Sequence, residues 1–186
     1  MNKLLTDFID RYKNGLLETE KLQIINEEFS TETVSDEHLY RSYFDDLSFT
    51  NLNFTNVNFN SSFFRKCLFK NCTFEDTSFS DANFENCILI NCQIKDSEFG
   101  KADFTETSFN KCCFERVEKG GLVKVWFESC KFLDTDFKGF EGLPLIQATV
   151  VDCKFFKFNK SIEFKGEFFL MDILNSGNGI NEMFIE

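Results

Sequence analysis

The run Ala82-Asn83-Phe84-Glu85-Asn86-Cys87-Ile88-Leu89-Ile90-Asn91-Cys92-Gln93-Ile94-Lys95-Asp96-Ser97-Glu98-Phe99-Gly100-Lys101-Ala102-Asp103-Phe104 decides the fold. It opens on Ala82-Asn83-Phe84 and returns, twenty residues later, to Ala102-Asp103-Phe104. Between the two triplets every fifth residue is large and apolar: Leu89, Ile94 and Phe99. The series extends in both directions, through Phe44, Phe49, Phe54, Phe59, Phe64, Phe69, Phe74 and Phe79 on one side and Phe109 and Phe114 on the other. Fifteen consecutive hits leave no room for chance. An α-helix repeats at 3.6 residues and a strand at 2.0, so neither keeps a period of five on one face.

Two positions before each centre the side chain is usually small: Cys67, Cys72, Thr77, Ala82, Cys87, Cys92, Ser97, Ala102, Thr107 and Cys112. The remaining positions are mostly polar. A chain that turns a corner every five residues, with one large and one small side chain inward per side, closes a square coil after twenty. On these triplets and this run, the sequence resembles the pentapeptide-repeat family over about residues 42–155. The resemblance implies an all-β solenoid, a right-handed quadrilateral β-helix whose coils stack at about 4.8 Å. It also implies a core of stacked Phe54, Phe59, Phe64, Phe69, Phe74, Phe79, Phe84, Phe99, Phe104, Phe109, Phe114, Phe132 and Phe155, with Cys72, Cys92 and Cys112 in one column.

Beyond Phe114 the register shifts. Leu122-Val123-Lys124-Val125-Trp126-Phe127 is echoed by Leu145-Ile146-Gln147-Ala148-Thr149-Val150, and Cys130-Lys131-Phe132 by Cys153-Lys154-Phe155, each 23 residues on. Coils that each carry a three-residue insertion at the same corner account for both echoes. Gly120, Gly121, Gly142 and Pro144 supply loop chemistry within 115–121 and 138–144. Stacked coils then place the two loops one above the other as a ridge.

Solenoids need caps on their open ends. Leu4, Phe8, Tyr12 and Leu16 at helical spacing, a stop at Gly15 and a second amphipathic stretch with Leu22, Ile25 and Phe29 predict a helical cap over residues 1–40. The repeat domain is read as 41–157. Alternation of Phe156, Phe158, Ile162, Phe164, Phe168 and Leu170 with polar residues predicts a strand or hairpin cap over 158–186, with a turn at Asn175 to Gly179.

Composition narrows the function. The chain has 186 residues, 27 of them Phe against one Trp, as expected where one slot is filled again and again. Net charge is −11, which argues against a nucleic-acid partner, because phosphate contacts need clustered Lys and Arg. No apolar run is long enough to span a membrane, and an acid as early as Asp7 argues against a signal peptide; a cytoplasmic location is expected. The pairs Cys67 and Cys72, and Cys87 and Cys92, resemble zinc-ligand spacing, but seven of the eight Cys fall in the small inward slot and only Cys113 does not. Packing of small thiols explains that better than metal. His38 has no nucleophile or orienting acid marked beside it. No catalytic residue, cofactor, metal or small-molecule substrate is expected, and the chain is read as a non-enzymatic protein binder.

The candidate contacts are Glu118, Leu122, Lys124, Trp126, Phe140, Glu141 and Leu143, on or beside the two loops. Trp126 could equally just cover the coil, since it immediately precedes the centre Phe127. The best understood members of the family mimic duplex DNA and bind type II topoisomerases such as gyrase, dimerising end to end through a C-terminal helix. Mimicry demands a dense acidic stripe. Residues 1–40, 41–116 and 117–186 carry −5, −3 and −3, so the rod is only mildly acidic, and the tail reads as strand. Pentapeptide-like repeats also occur in immunity proteins, and an acidic binder is steered toward a basic toxin, a nuclease for instance. The bacterial toxin is the preferred partner, the topoisomerase the alternative, and a structural or adaptor solenoid the third reading.

Overall fold

The computed structural model describes residues 4–15, 22–115, 122, 124–138, 148–157, 160–170 and 172. Its strands follow the coils in order. The first coil carries β1 (Gln23–Ile25) and β2 (Glu28–Ser35), the second β3 (Tyr43–Asp45) and β4 (Ser48–Thr55). Three strands per coil follow: β5 (Phe63–Arg65), β6 (Leu68–Lys70) and β7 (Thr73–Glu75); then β8 (Asn83–Glu85), β9 (Ile88–Ile90) and β10 (Gln93–Lys95). The next coil has β11 (Asp103–Thr105), β12 (Ser108–Asn110) and β13 (Cys113–Glu115), and the one after it β14 (Trp126–Glu128), β15 (Lys131–Leu133) and β16 (Asp136–Lys138). The last coil holds β17 (Thr149–Val151) and β18 (Lys154–Lys157), followed by β19 (Lys160–Glu163) and β20 (Glu167–Phe169).

Parallel pairing stacks these strands into the sides of a right-handed square rod. The first side is the sheet β1-β3-β5-β8-β11-β14-β17, closed by β20. The second and third sides form one 12-stranded sheet, because β2 and β4 run unbroken around the corner between them. The fourth side is held by isolated bridges His38–Asn58–Ser78–Glu98. Early coils pair at an offset of twenty residues, as in Asn83 opposite Phe63, and later ones at 23, as in Trp126 opposite Asp103 and Thr149 opposite Trp126. The longer coils therefore keep register.

The aromatic centres pile up along the axis. In the first-side column Phe44–Phe64–Phe84–Phe104–Phe127, ring centroids lie 4.8, 4.7, 4.6 and 5.0 Å apart and the planes stay within 16° of parallel. Rings of neighbouring sides meet edge-on, as Phe59 meets Phe64 at 71°. Both geometries suit the ring quadrupole, and each buried ring contributes about 1.5–3 kcal/mol before entropy is subtracted. The small slot has its own logic. Thr77 Oγ1, Ser97 Oγ and Thr107 Oγ1 each donate to the carbonyl of Phe54, Phe74 and Phe84 in the coil below, at 3.3 Å. The Cys thiols do the same more weakly, Cys92 to Phe69 at 3.4 Å. The slot takes apolar residues, up to Leu47, Leu52 and Val57 in the second coil, or small residues able to donate downward.

The corners are left-handed. Every described corner residue, from Asn26 to Asp152, has φ between 45° and 59°. That region costs most L-residues about 1–2 kcal/mol, and Asn and Asp least, which explains the Asn and Asp at so many corners. Between the second and third sides, corner amides also form a ladder: Asn71 Nδ2 donates to Asn51 Oδ1 at 3.0 Å and Asn91 Nδ2 to Asn71 Oδ1 at 2.9 Å. Thr31 stands one coil below Asn51, exposed and β-branched at φ 54°. Thr31→Asn relieves that backbone and adds a rung, so urea denaturation should show a gain of about 1 kcal/mol; a loss would mean that the corners do not set the residue type.

The ends differ from expectation in one respect. The sequence predicts a helical cap over 1–40, but the described helix, α1 (Leu5–Lys13), is confined to its first part, and residues 22–35 supply strands paired with those of the second coil. Ile24, Phe29, Val34 and Leu39 are buried at the same five-residue step as the rest of the rod, and Leu22 fills the slot two residues before Ile24. Helical spacing of Leu22, Ile25 and Phe29 was a coincidence of period: Ile25 points outward, 57 % exposed, and Ile24 points in. α1 lies across the open end with Leu5 and Ile9 buried and Phe8 edge-on to Phe29. Its N-cap residue, Leu4, offers no side-chain bond; the Glu32 carboxylate does the capping, accepting from the amides of Leu5 and Thr6 at 2.8 and 2.9 Å and from Thr6 Oγ1. At the other end β18 and β19 form the expected hairpin, and β20 returns antiparallel to β17. Phe158 and the predicted turn at 175–179 lie outside the described residues. Among those residues, no helix is long and apolar enough to cross a membrane.

Candidate protein-binding face

Residues flanking each inward centre point out, so each side displays two outward columns and each corner one. On the first side, the column preceding the centres reads Gln23, Tyr43, Phe63, Asn83, Asp103, Trp126 and Thr149. Tyr43 and Phe63 stack outside the rod as their neighbours do inside it, with centroids 5.5 Å apart and planes 3° from parallel. Both are half-buried, as is Trp126. Beside them Arg65 Nε donates to Asp45 Oδ1 at 2.8 Å and Arg65 Nη2 to Asp45 Oδ2, a bidentate pair spanning two coils. That guanidinium, with Lys66 and then Tyr43 adding smaller effects, holds the Asp45 carboxyl below its ordinary range against the opposing effect of burial. Higher up, burial and then the Asp81 carboxylate raise Asp103.

The corner next to this column carries Arg41, Ser61, Asp81, Lys101 and Lys124, all exposed. Asp81 and Lys101 approach to 3.9 Å. Between corner and column a surface depression of about 590 Å³ is lined by Gln23, Arg41, Ser42, Tyr43, Ser61 and Phe63. Rigid aromatic anchors beside exposed charges of both signs are what protein interfaces use.

Of the residues singled out in the sequence, Lys124 and Trp126 reach this face, at its corner and in its outward column. Leu122 does not. It is 2 % exposed, and lies 23 residues beyond the fourth-side centre Phe99, so it continues the inward column of Leu39, Phe59, Phe79 and Phe99. The three-residue insertion delivers it to the core, and it is removed from the contact candidates. Glu118, Phe140, Glu141 and Leu143, and with them the ridge, lie outside the described residues. Tyr43 and Phe63 were missed; their signal is an aromatic residue directly before an inward Phe. Outward Leu68, Ile88 and Ile90 on the second side were missed too; their signal is an aliphatic residue directly beside an inward centre.

Charge is distributed unevenly. The corner between third and fourth sides carries Asp36, Asn56, Asp76 and Asp96, with Asn56 Nδ2 donating to Asp36 Oδ1 at 2.7 Å. Other corners interleave signs: Asp46, Lys66 and Glu106 on one, Asp81 and Lys101 on another. Glu75 on the third side is answered by Lys95 at 3.0 Å.

The thiols behave as packing. All eight Cys are free, seven are buried, and Cys113 is half-exposed. Hydrogen bonds to the Cys112 and Cys72 thiols, followed by burial, push Cys92 up; burial followed by the neighbouring thiol does the same for Cys87 and Cys130. The same thiol hydrogen bonds draw Cys72, Cys112 and Cys153 down, so the shifts follow the stacking of the thiol columns. Among the described residues, no three His, Cys, Asp or Glu side chains are placed to hold a metal ion. His38 is exposed and serves the fourth-side bridge to Asn58.

Residues 53–89 and 67–105 match the family described as pentapeptide repeats, in eight copies. No curated protein matches the chain. Among solved structures, the pentapeptide repeat protein Rfr23 from the cyanobacterium Cyanothece 51142 is similar at 16 % identity, covering 65 % of this chain and 86 % of that one, with a TM-score of 0.41. HetL, a pentapeptide repeat protein involved in heterocyst differentiation regulation in Nostoc sp. strain PCC 7120, is similar at 10 % identity, covering 79 % and 72 %, with a TM-score of 0.39. A trypsin-treated form of QnrB1, a plasmid-mediated fluoroquinolone resistance protein, is similar at 16 % identity, covering 67 % and 68 %, with a TM-score of 0.35.

Proposed function

We infer that this chain, a pentapeptide-repeat protein, is a non-catalytic scaffold that binds and neutralises a bacterial toxin in the cytoplasm. The observation that carries the reading is the outward aromatic column of the first side. The repeat needs only polar residues there, yet Tyr43, Phe63 and Trp126 occupy three of its rungs, and the Tyr43 and Phe63 rings are stacked on each other before any partner arrives. Preorganised aromatic anchors lower the entropic cost of binding. The chain's net charge of −11 steers a basic partner toward it, and a toxic nuclease, which must bind phosphate, is such a partner. Eight free thiols suit a reducing compartment.

The second reading is a duplex-DNA mimic that occupies a type II topoisomerase. The corner with Asp36, Asp76 and Asp96 favours it. Against it, bases interrupt the other corners, as Lys66 does between Asp46 and Glu106, whereas mimicry requires carboxylates to follow one another as phosphates do.

The test is co-expression of the tagged chain with the product of its neighbouring reading frame, followed by titration of the purified pair. A stable complex that abolishes toxicity is expected, with Tyr43→Ala and Trp126→Ala each weakening it by roughly tenfold to a hundredfold. Inhibition of gyrase supercoiling by the chain, with no effect on the neighbour, would replace this reading with the second. Complex formation unaffected by either substitution would remove the first side as the contact.

A further inference from the structure

The second side carries an apolar patch that the repeat does not require. Inward Phe69, Leu89 and Phe109 fill its core positions, so Leu68, Ile88 and Ile90 are surplus to packing inside the rod. Ile88 is 45 % exposed, and Leu68, Ile90 and, two coils up, Leu133 are half-buried on the same side. Pairing sets Leu68 directly beneath Ile88 and Lys70 directly beneath Ile90, so aliphatic and basic side chains share adjoining rungs. Ser48, Thr50, Ser108 and Asn110 occupy the rungs around them. A sheet face that is apolar at its middle and polar at its rim marks an interaction site.

The charges around the patch say what covers it. Lys70 and Lys131 project from the side itself, and Lys66 and Lys111 from its two edges, all exposed. None of the four has an ion pair among the described residues, whereas Lys13, Arg65, Lys95, Lys101 and Lys154 each have a carboxylate. The side's own carboxylate, Glu28, stands two coils below Leu68, and Asp46, Glu106 and Asp134 are on the corners. In a chain of net charge −11 this is a locally basic, aliphatic surface.

We propose that the second side docks an amphipathic helix of a partner protein whose apolar stripe is flanked by Asp and Glu. A helix laid along the rod repeats every 5.4 Å and the coils about every 4.8 Å. Successive turns therefore meet successive rungs, from Leu68 to Ile88 and on toward Leu133. Carboxylates beside the stripe then reach Lys66 on one edge and Lys70 and Lys111 on the other. This surface lies on a different side from the first-side column and does not depend on the toxin reading.

The experiment titrates the isotopically labelled full chain with two designed helical peptides of about 18 residues. Both have the same Leu stripe, with Glu flanks in one and Lys flanks in the other. The Glu peptide should shift the backbone amides of residues 66–70, 86–91 and 108–111 with a midpoint below about 1 mM. Ile88→Ser and Lys70→Glu should each weaken it by about tenfold or more while the melting temperature stays at the wild-type value, since both side chains point out. Three results overturn the proposal: no shifts at these amides, equal binding of the Lys peptide there, or concentration-dependent shifts of the same amides without peptide, which would make a second copy of the chain the occupant.

Discussion

Phe84→Ala should remove about 3–5 kcal/mol of stability and leave a chain without a cooperative melt. Phe84 is the middle ring of the first-side column, 4.7 Å from Phe64 and 4.6 Å from Phe104, and it also touches Phe79 at 5.5 Å. The cavity left behind has little chance to collapse. Coil spacing is fixed by backbone pairing above and below, Asn83 to Phe63 and Asp103 to Asn83, so the rings on either side cannot close the gap. A globular domain holds about 5–15 kcal/mol in total, so one ring is a large share of it. Circular dichroism in urea reads the result. A single cooperative transition within about 1 kcal/mol of wild type would mean that the stack does not carry the fold.

Leu122→Ala is the second large effect, about 2–4 kcal/mol. It separates two roles that adjacent sequence positions conceal. Leu122 is 2 % exposed and continues the fourth-side column, whereas Trp126 stands outward on the first side. Leu122→Ala should lower the urea midpoint, with any loss of partner binding following from unfolding. Trp126→Ala should leave the midpoint within about 1 kcal/mol and act on affinity. If Leu122→Ala instead melts like wild type and loses the partner, Leu122 is a surface contact and the column ends at Phe99.

The centres were legible because Phe repeats with so little substitution that spacing alone names the fold. The 23-residue echo was legible too, since Cys130 and Cys153 return with their Phe neighbours intact. The first coil was not, although Ile24, Phe29, Val34 and Leu39 keep the same step. Its inward slots hold Glu27, Glu32 and Glu37 where the next coil has Leu47, Leu52 and Val57 and later coils have Cys, Thr or Ser. An end coil has no coil beneath it, so those positions face the cap: Glu32 holds the start of α1, and Glu37 pairs with Lys13. A position's meaning there depends on what lies below it, which a linear repeat does not record. The outward aromatics were hidden for a related reason. Tyr43 and Phe63 are twenty residues apart in the chain and one rung apart in space, so they become one surface only when the columns are assembled. Phe63 also sits beside Phe64 and reads as part of the core pattern until burial distinguishes the two.

The two strands that reverse direction after the last coil settle how far such an assembly can go. A ladder of parallel rungs is a template, and a molecule added end to end would normally extend it by offering its own opening rung. Here the newcomer would be met on the first side by Glu167–Phe169 and on the second by Lys160–Glu163, both running opposite to the strands beneath them. The parallel ladder therefore ends at these two walls, and a further strand could join them only in antiparallel register.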